Sequence, residues 1–255
     1  VPNYYENRLL RLVTGLRAGS KVDGIEIDAV QRELDAFLDV SASPRFVDPA
    51  ERLRRPVDSM WSERVVDERA YRTMQGFREV PSWRGLPLIK TAYDFVIYPM
   101  LIDELKPRSI IELGSGSGAS ALWFADVADA HGMSPRIVSI DIVRPQIDDP
   151  RVDFIKADIT RIGSALKDSV IKALPKPWLV IDDAHVNVPD VLDFFDDRLG
   201  TGDYLVIEDS NSPSNRRNVL DFLARSRNGY LLDRRYVDMF GENSTSALDG
   251  VLKRL

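Results

Sequence analysis

The chain has 255 residues, with 34 Lys plus Arg against 40 Asp plus Glu for a net charge of −6, and it contains no cysteine. An acidic balance without a long basic block argues against nucleic acid or an anionic membrane surface as partner. The missing cysteines remove disulfides, thiolate metal sites and cysteine nucleophiles, and suit a reducing cytoplasm, the default localisation; no apolar run approaches the ~18 to 20 residues that cross a bilayer.

Residues 1–80 carry Leu, Arg, Asp and Glu at helical spacing, as in "YYENRLLRLVTGLRAG" and "IDAVQRELDAFLDV", interrupted at "SASP" and "DPAERLRRP". No strand alternation persists there. Residues 1–80 are therefore expected to form a helical appendage, a lid or a surface for homo-oligomers, beside a main domain over 81–255.

From Pro107 onward, short β-rich runs alternate with helix-like ones. They are "SIIELG", a helix over about 118–131, "RIVSIDI", "VDFIKAD", a helix over about 160–173 and "PWLVIDDA". A helix over 188–199, "GDYLVIEDS", a helix over about 215–227, "YLLDRRYV" and "SALDGVLKRL" follow. Alternating elements with unbroken apolar runs such as "WLVI" and "YLVI" predict a mostly parallel sheet covered on both faces, the doubly wound α/β class. The last two strands leave little room for a crossover helix, so the C-terminal end is expected to run antiparallel. A ligand belongs at the carboxyl ends of such strands.

The turn "IIELGSGSGAS" places Gly114, Gly116, Gly118 and Ala119 in the dinucleotide pattern, and Asp141, 22 residues past Ala119, where a ribose-binding acid is expected. Its surroundings separate two ligands. Glu112 lies two residues before the first glycine, and no Lys or Arg occurs from Ser109 to His131. A pyrophosphate would meet a carboxylate and no side-chain cation there, whereas S-adenosylmethionine, with its ammonium, sulfonium and neutral ribose, suits the site. Asp158, ending "FIKAD", is either an acceptor for the adenine amino group or a helix N-cap.

"VIDDAH" ends one strand at Asp182, Asp183 and His185, and "VIEDS" ends another at Glu208 and Asp209. Converging carboxylates are costly unless a cation or raised pKa values relieve them, and hard oxygens without cysteine favour magnesium or calcium. Successive residues point to opposite faces, so not all four acids need share one site. The alternative is that they cap helices or pair with Arg residues of "SNRRN". His185 is a candidate general base, and His131 a solvated helix end.

The chain resembles the class I S-adenosylmethionine-dependent methyltransferases and, within them, the cephalosporin hydroxylase-like group that includes rhamnosyl and antibiotic O-methyltransferases. The resemblance runs from about Trp83 to Leu255 and rests on "WRGLPLIKTAYDFVIYPMLIDELKPRSIIELGSGSGASALWFAD", "IDDAHVNVPDVLDFF" and "GDYLVIEDS". It implies a Rossmann-like methyltransferase fold with a seven-stranded sheet and an antiparallel C-terminal strand. It also implies that Glu112, Gly114, Gly116 and Ser120 surround the methionine part of the cofactor and that Asp141 holds its ribose. Lys90 and Asp94 fall in a lead-in segment over the cofactor. Asp182, Glu208 and Asp209 would hold magnesium. Where the family has Asp-Ser this chain has Asp182-Asp183, which leaves open the acid that faces the metal.

The activity expected is methyl transfer to an oxygen of a small natural-product or sugar acceptor, with His185 or Asp182 taking the proton. N- or C-methyl transfer and a non-methylating hydroxylase-like role are the alternatives, and Glu112 counts against a nicotinamide dehydrogenase. The loops "SNSPSNRRN" and "MFGENSTSA" are expected to shape the acceptor pocket, with Arg216 and Arg217 a solvated pair.

Overall fold

The structure is a computed structural model and describes residues 13–14, 44–53, 73–76, 79–210 and 213–255. The chain divides into two compact units, Val1–Arg45 and Phe46–Leu255. Most of the stretch expected as an appendage over 1–80, with its lid or self-association role, lies outside the described residues.

The second unit begins with strand β1 (Phe46–Val47) and helix α1 (Pro49–Leu53), then a hairpin of β2 (Ser82–Trp83) and β3 (Leu86–Pro87). Helix α2 (Asp94–Leu105) leads into β4 (Ser109–Leu113), α3 (Ala119–Ala130), β5 (Arg136–Asp141) and β6 (Val152–Lys156). Two short helices, α4 (Ile162–Ala165) and α5 (Asp168–Ile171), precede β7 (Trp178–Asp182), α6 (Val188–Asp196) and β8 (Tyr204–Ile207). The chain closes with α7 (Pro213–Arg225), β9 (Tyr230–Asp233), α8 (Arg234–Val237) and β10 (Val251–Arg254).

The main sheet has the order β6-β5-β4-β7-β8-β10-β9-β1. Strands β4 to β8 pair in parallel, and β10 inserts antiparallel between β8 and β9, although the connection over 234–250 is longer than the sequence suggested. Every residue of β4 and β7 is buried, the pattern of strands covered on both faces. The seven expected strands, β4 to β10, are all present. An eighth, β1, adds to the edge through Phe46↔Asp233 and Val47↔Leu232; two residues are too few to show alternation in sequence.

The helix expected over 160–173 is broken. Its buried apolar residues fall at Ile159, Ile162, Leu166, Ile171 and Leu174, and the five-residue step from 166 to 171 would turn Ile171 about 140° off the buried face of a continuous helix. An extended Lys167 (φ −61°, ψ 146°) resets the phase so that both halves stay inward. Likewise "YLLDRRYV" is half strand: Asp233 accepts the Arg235 N–H at 3.1 Å and caps α8.

Helix α2 packs on α3 through Phe95, Tyr98, Trp123 and Phe124, whose ring centroids lie 5.0 to 5.9 Å apart. That contact fixes the lead-in segment over the sheet. The strand order reverses between β4 and β7, which opens a crevice at their carboxyl ends.

Candidate active site

Where β4 ends, the chain must turn past the end of β7. Gly114 sits at φ +100°, and a Cβ there would lie 2.8 Å from the Asp183 carbonyl oxygen, so both conformation and space demand glycine. Gly116, at φ +49°, is the opposite case, since a Cβ would meet nothing within 4 Å. It lines a cleft of about 510 Å³ at the strand ends. The roof is the segment after β3, tied down by Ser117, whose hydroxyl donates to the Pro87 carbonyl at 2.6 Å.

Asp141 ends β5 and reaches this cleft. Its carboxylate accepts the Gly116 N–H at 2.9 Å and the Val143 N–H at 3.0 Å, so its position is fixed by the loop it serves. Asp158 also lines the cleft, but it accepts the Thr160 N–H at 3.0 Å and hydroxyl at 2.6 Å, which makes it the cap of the next turn.

Glu112 is fully buried beneath the loop and does not itself line the cleft. The register pairs it with Ser139 on β5, whose hydroxyl donates to it, and Ser139 lies 2.5 Å from the hydroxyl of Ser115, a cleft residue. Burial pushes the Glu112 carboxyl up to about 7, against the pull of the Ser120 and Ser139 hydroxyls. Its Oε1 has no hydrogen-bond partner among the described residues. A buried carboxylate with an unmatched oxygen, joined to the cleft by serine hydroxyls, fits a ligand with a cationic group, and open Gly116 beside Asp141 fits a ribose.

The acids at the other end sort by register. β7 and β8 pair Asp182 with Ile207, and the Glu208 N–H donates to the Asp182 carbonyl at 2.9 Å. Side chains alternate, so Asp182 shares the face of Ile207 and Leu113, whereas Asp183 and Glu208 turn to the other. Asp182 is 1% exposed, does not line the cleft, and is pushed up to about 6 by burial. Its Oδ2 is buried with no hydrogen-bond partner among the described residues, while Asp183, on the other face, lines the cleft.

Lys90 joins these acids from the roof. Its Nζ donates to Asp183 at 2.7 Å and to Glu208 at 2.5 Å, and it is 2% exposed. Burial alone would lower its pKa, but Asp183 and Glu208 outweigh that and hold the ammonium well above its ordinary value. Glu208 also accepts from the Tyr98 hydroxyl and, at 2.8 Å, from the Ser246 hydroxyl. His185 Nε2 lies 3.3 Å from Asp183 and 3.2 Å from Asp209. Those two carboxylates raise its pKa to about 10, so at neutral pH it is an imidazolium and not a free base. His131 is at the far end of α3, 3.1 Å from Asp103.

Of the expected metal set, Glu208 and Asp209 line the cleft, and Asp182 lies buried at the end of β7. Among the described residues no three His, Cys, Asp or Glu side chains are gathered to hold a metal ion. The acids that do line the cleft, Asp183, Glu208 and Asp209, are hard oxygen donors of the kind magnesium takes. The Lys90 ammonium bridging two of them is a cation already standing there.

The lead-in segment also carries Asp94, named from the resemblance, and Tyr98, which was not singled out from sequence. Asp94, fully buried, accepts from the Thr91 N–H at 2.8 Å and from the Thr245 and Ser246 hydroxyls at 2.9 and 3.2 Å, tying α2 to the β9–β10 loop. Tyr98 sits one turn further along. A buried Asp and Tyr four residues apart on an apolar helix was the readable signal. Arg216 is not part of a solvated pair: it is buried and donates to the carbonyls of Arg52 and Leu53 at 2.9 and 3.1 Å.

Residues 75–255 match the model of the family described as Rhamnosyl O-methyltransferase/CmcI. The chain belongs to that family. It is 33% identical over 138 residues to the Rhamnosyl O-methyltransferase of Mycobacterium leprae (strain TN), covering 51% of this chain and 60% of that one, so it spans under two thirds of that relative's length. The N160 form of CmcI with SAH is 27% identical, with a TM-score of 0.57, over 79% of this chain and 95% of that one. The D160 form with Mg and SAM, 24% identical with a TM-score of 0.57 over 84% and 87%, shares the fold. Among the described residues no helix is long and apolar enough to cross a membrane.

Proposed function

We propose that the chain is an S-adenosylmethionine-dependent O-methyltransferase acting on a small hydroxylated acceptor of sugar or natural-product type. The observation that carries the reading is the cleft over Gly116, with Asp141 at one end and the Lys90, Asp183, Glu208, Asp209 and His185 cluster at the other. Membership of the family and the SAH-bound form of CmcI support it.

S-adenosylmethionine, when bound, supplies a methyl group on a sulfonium for in-line displacement by the acceptor oxygen. Asp141 accepts the ribose hydroxyls, and the Ser115, Ser139 and Ser120 hydroxyls relay Glu112's charge toward the ammonium. Lys90 helps hold the Asp183 carboxyl below its ordinary value and pulls against the burial that pushes Glu208 up to about 7. Asp209, the most exposed acid of the cluster at 48% of its side chain, accepts the acceptor's proton, and the His185 imidazolium beside it holds the carboxylate in position before the transfer. A magnesium ion, when held by Glu208 and Asp209 with Asp182 or Asp183, would supply a Lewis acid beside the acceptor oxygen.

The test is incubation with S-adenosylmethionine and a panel of rhamnosides, other sugars, phenols and amines, followed by mass spectrometry. An O-methylated product with S-adenosylhomocysteine is expected. Turnover only on nitrogen or carbon acceptors, or none on any, would remove the proposal.

A further inference from the structure

We propose that Asp126, a residue of α3 that does not line the cleft, is a positioning residue for the cofactor: it fixes the cleft roof by holding Arg84 at the tip of the β2–β3 hairpin. The inference rests on the S-adenosylmethionine reading given above and extends it to a residue outside the cleft.

The roof needs an anchor. Pro87 to Thr91 line the cleft, yet the hairpin that carries them has only two residues in each strand, paired as Ser82↔Pro87 and Trp83↔Leu86. A ribbon that short does not hold its own shape. Asp126 holds it from outside: its carboxylate accepts the Trp83 indole N–H at 2.7 Å and the Arg84 Nε and Nη2 at 2.8 and 2.5 Å, a two-pronged guanidinium contact. The same carboxylate meets Arg151 Nη1 at 2.9 Å. Burial alone would raise the Asp126 carboxyl, but the bonds from Trp83, Arg84 and Arg151 outweigh it and hold the group below its ordinary value. Arg151 in turn forks onto Asp149 at 2.8 and 2.7 Å and so closes the β5–β6 loop. That loop leads off from Asp141 and Ile142 on the cleft wall, and its Pro145 and Ile147 press on the glycine turn, where a Cβ on Gly118 would come within 3.1 and 2.6 Å of them. One carboxylate therefore ties together the roof, α3 and the loop that follows the ribose acid.

The backbone at the tip separates positioning from stability. Arg84 and Gly85 both have positive φ, +51° and +79°, the type I′ turn that closes a two-residue hairpin. Asn, Asp or Gly suits the first position of such a turn, and arginine does not. Arginine there is unfavourable by about as much as an exposed ion pair stabilises, and the Arg84 side chain is 50% exposed. The two nearly cancel, so the pair adds little to global stability. What it fixes is the place of the hairpin, and with it the roof that Ser117 meets at Pro87.

Two measurements on the whole chain test this. Dissociation of S-adenosylhomocysteine is followed by surface plasmon resonance, and urea unfolding of the ligand-free protein is followed beside it. Arg84→Asn gives the turn the Asn-Gly pair it prefers while removing the guanidinium, and Asp126→Asn removes the charge that receives it. Each is expected to release S-adenosylhomocysteine about tenfold faster than wild type with little change in association, and the double variant no faster than either single one, since all three lose the same tie. The urea midpoint of Arg84→Asn is expected at or above that of wild type, so binding weakens where stability does not. Wild-type dissociation from Arg84→Asn, or faster dissociation accompanied by a lower midpoint, overturns the positioning role and leaves the cofactor reading standing. No S-adenosylhomocysteine bound by wild type overturns both.

Discussion

Glu112 carries a load that can be measured. Its folded carboxyl is pushed from 4.5 to about 7, a difference of about 7 − 4.5 = 2.5 pH units, by complete burial. At about 1.4 kcal/mol per unit, that is about 3 kcal/mol. The sign follows from which state keeps the proton. Below pH ~4.5 both states are protonated and Glu112 costs nothing. As the pH rises toward about 7, the unfolded chain releases its proton while the folded one holds it, so stability falls, and above about 7 the full cost is present. Glu112→Gln cannot titrate, so it lacks this slope. It weakens the hydrogen bonds that Ser139 and Ser120 make to a charged acceptor, at a cost of about 1 kcal/mol. The variant is expected to be within about 1 kcal/mol of wild type at pH 5 and about 2 kcal/mol more stable at pH 8. Urea unfolding of the ligand-free protein at both pH values checks it. An equal difference between the two proteins at pH 5 and pH 8 would refute the argument that burial of this carboxylate is what the fold tolerates for the sake of a cationic ligand.

The two glycines should separate stability from binding. Gly114→Ala is expected to lose about 2 kcal/mol or more in urea unfolding, from the contact with the Asp183 carbonyl and the φ of +100°, whereas Gly116→Ala should lose only about 1 kcal/mol yet weaken S-adenosylhomocysteine binding. Arg52 is 5% exposed and pairs with Asp238 at 2.6 Å and Asp249 at 2.7 Å, so Arg52→Met should destabilise by about 3 to 5 kcal/mol and loosen the β9–β10 loop, seen as faster amide exchange at Thr245 and Ser246. The His185 imidazolium contributes stability that is present below its ordinary pKa of about 6.5 and is lost as the pH rises through about 10. The melting temperature of wild type should therefore approach that of His185→Gln above pH 10, and a constant gap between the two would contradict the clamp.

The strand, glycine turn, helix and following acid were legible because each is set by local chemistry: β-rich runs, glycine spacing and an aspartate at a strand end. Glu112 was readable as a group out of place beside a phosphate. The choice between Asp182 and Asp183 was not, because it depends on the pleat at the end of β7, and a shift of one residue exchanges the faces. Lys90 was placed near the cofactor by resemblance alone. The cation-free window from Ser109 to His131 concealed that a lysine reaches the same cleft from the roof. The break at Lys167 and the burial of Arg216 were also hidden: the first needs the phase of five buried residues, the second a partner 163 positions away at Leu53.

The central claim, that the Gly114–Gly118 cleft with Asp141 at its rim takes S-adenosylmethionine, is tested most directly by calorimetric titration of S-adenosylhomocysteine into wild type and Asp141→Ala. One saturable site is expected in wild type, with affinity about tenfold to a hundredfold weaker in Asp141→Ala as the charged acceptor for the ribose hydroxyls is lost. No saturable heat in wild type, or equal affinity in the two proteins, would contradict the account.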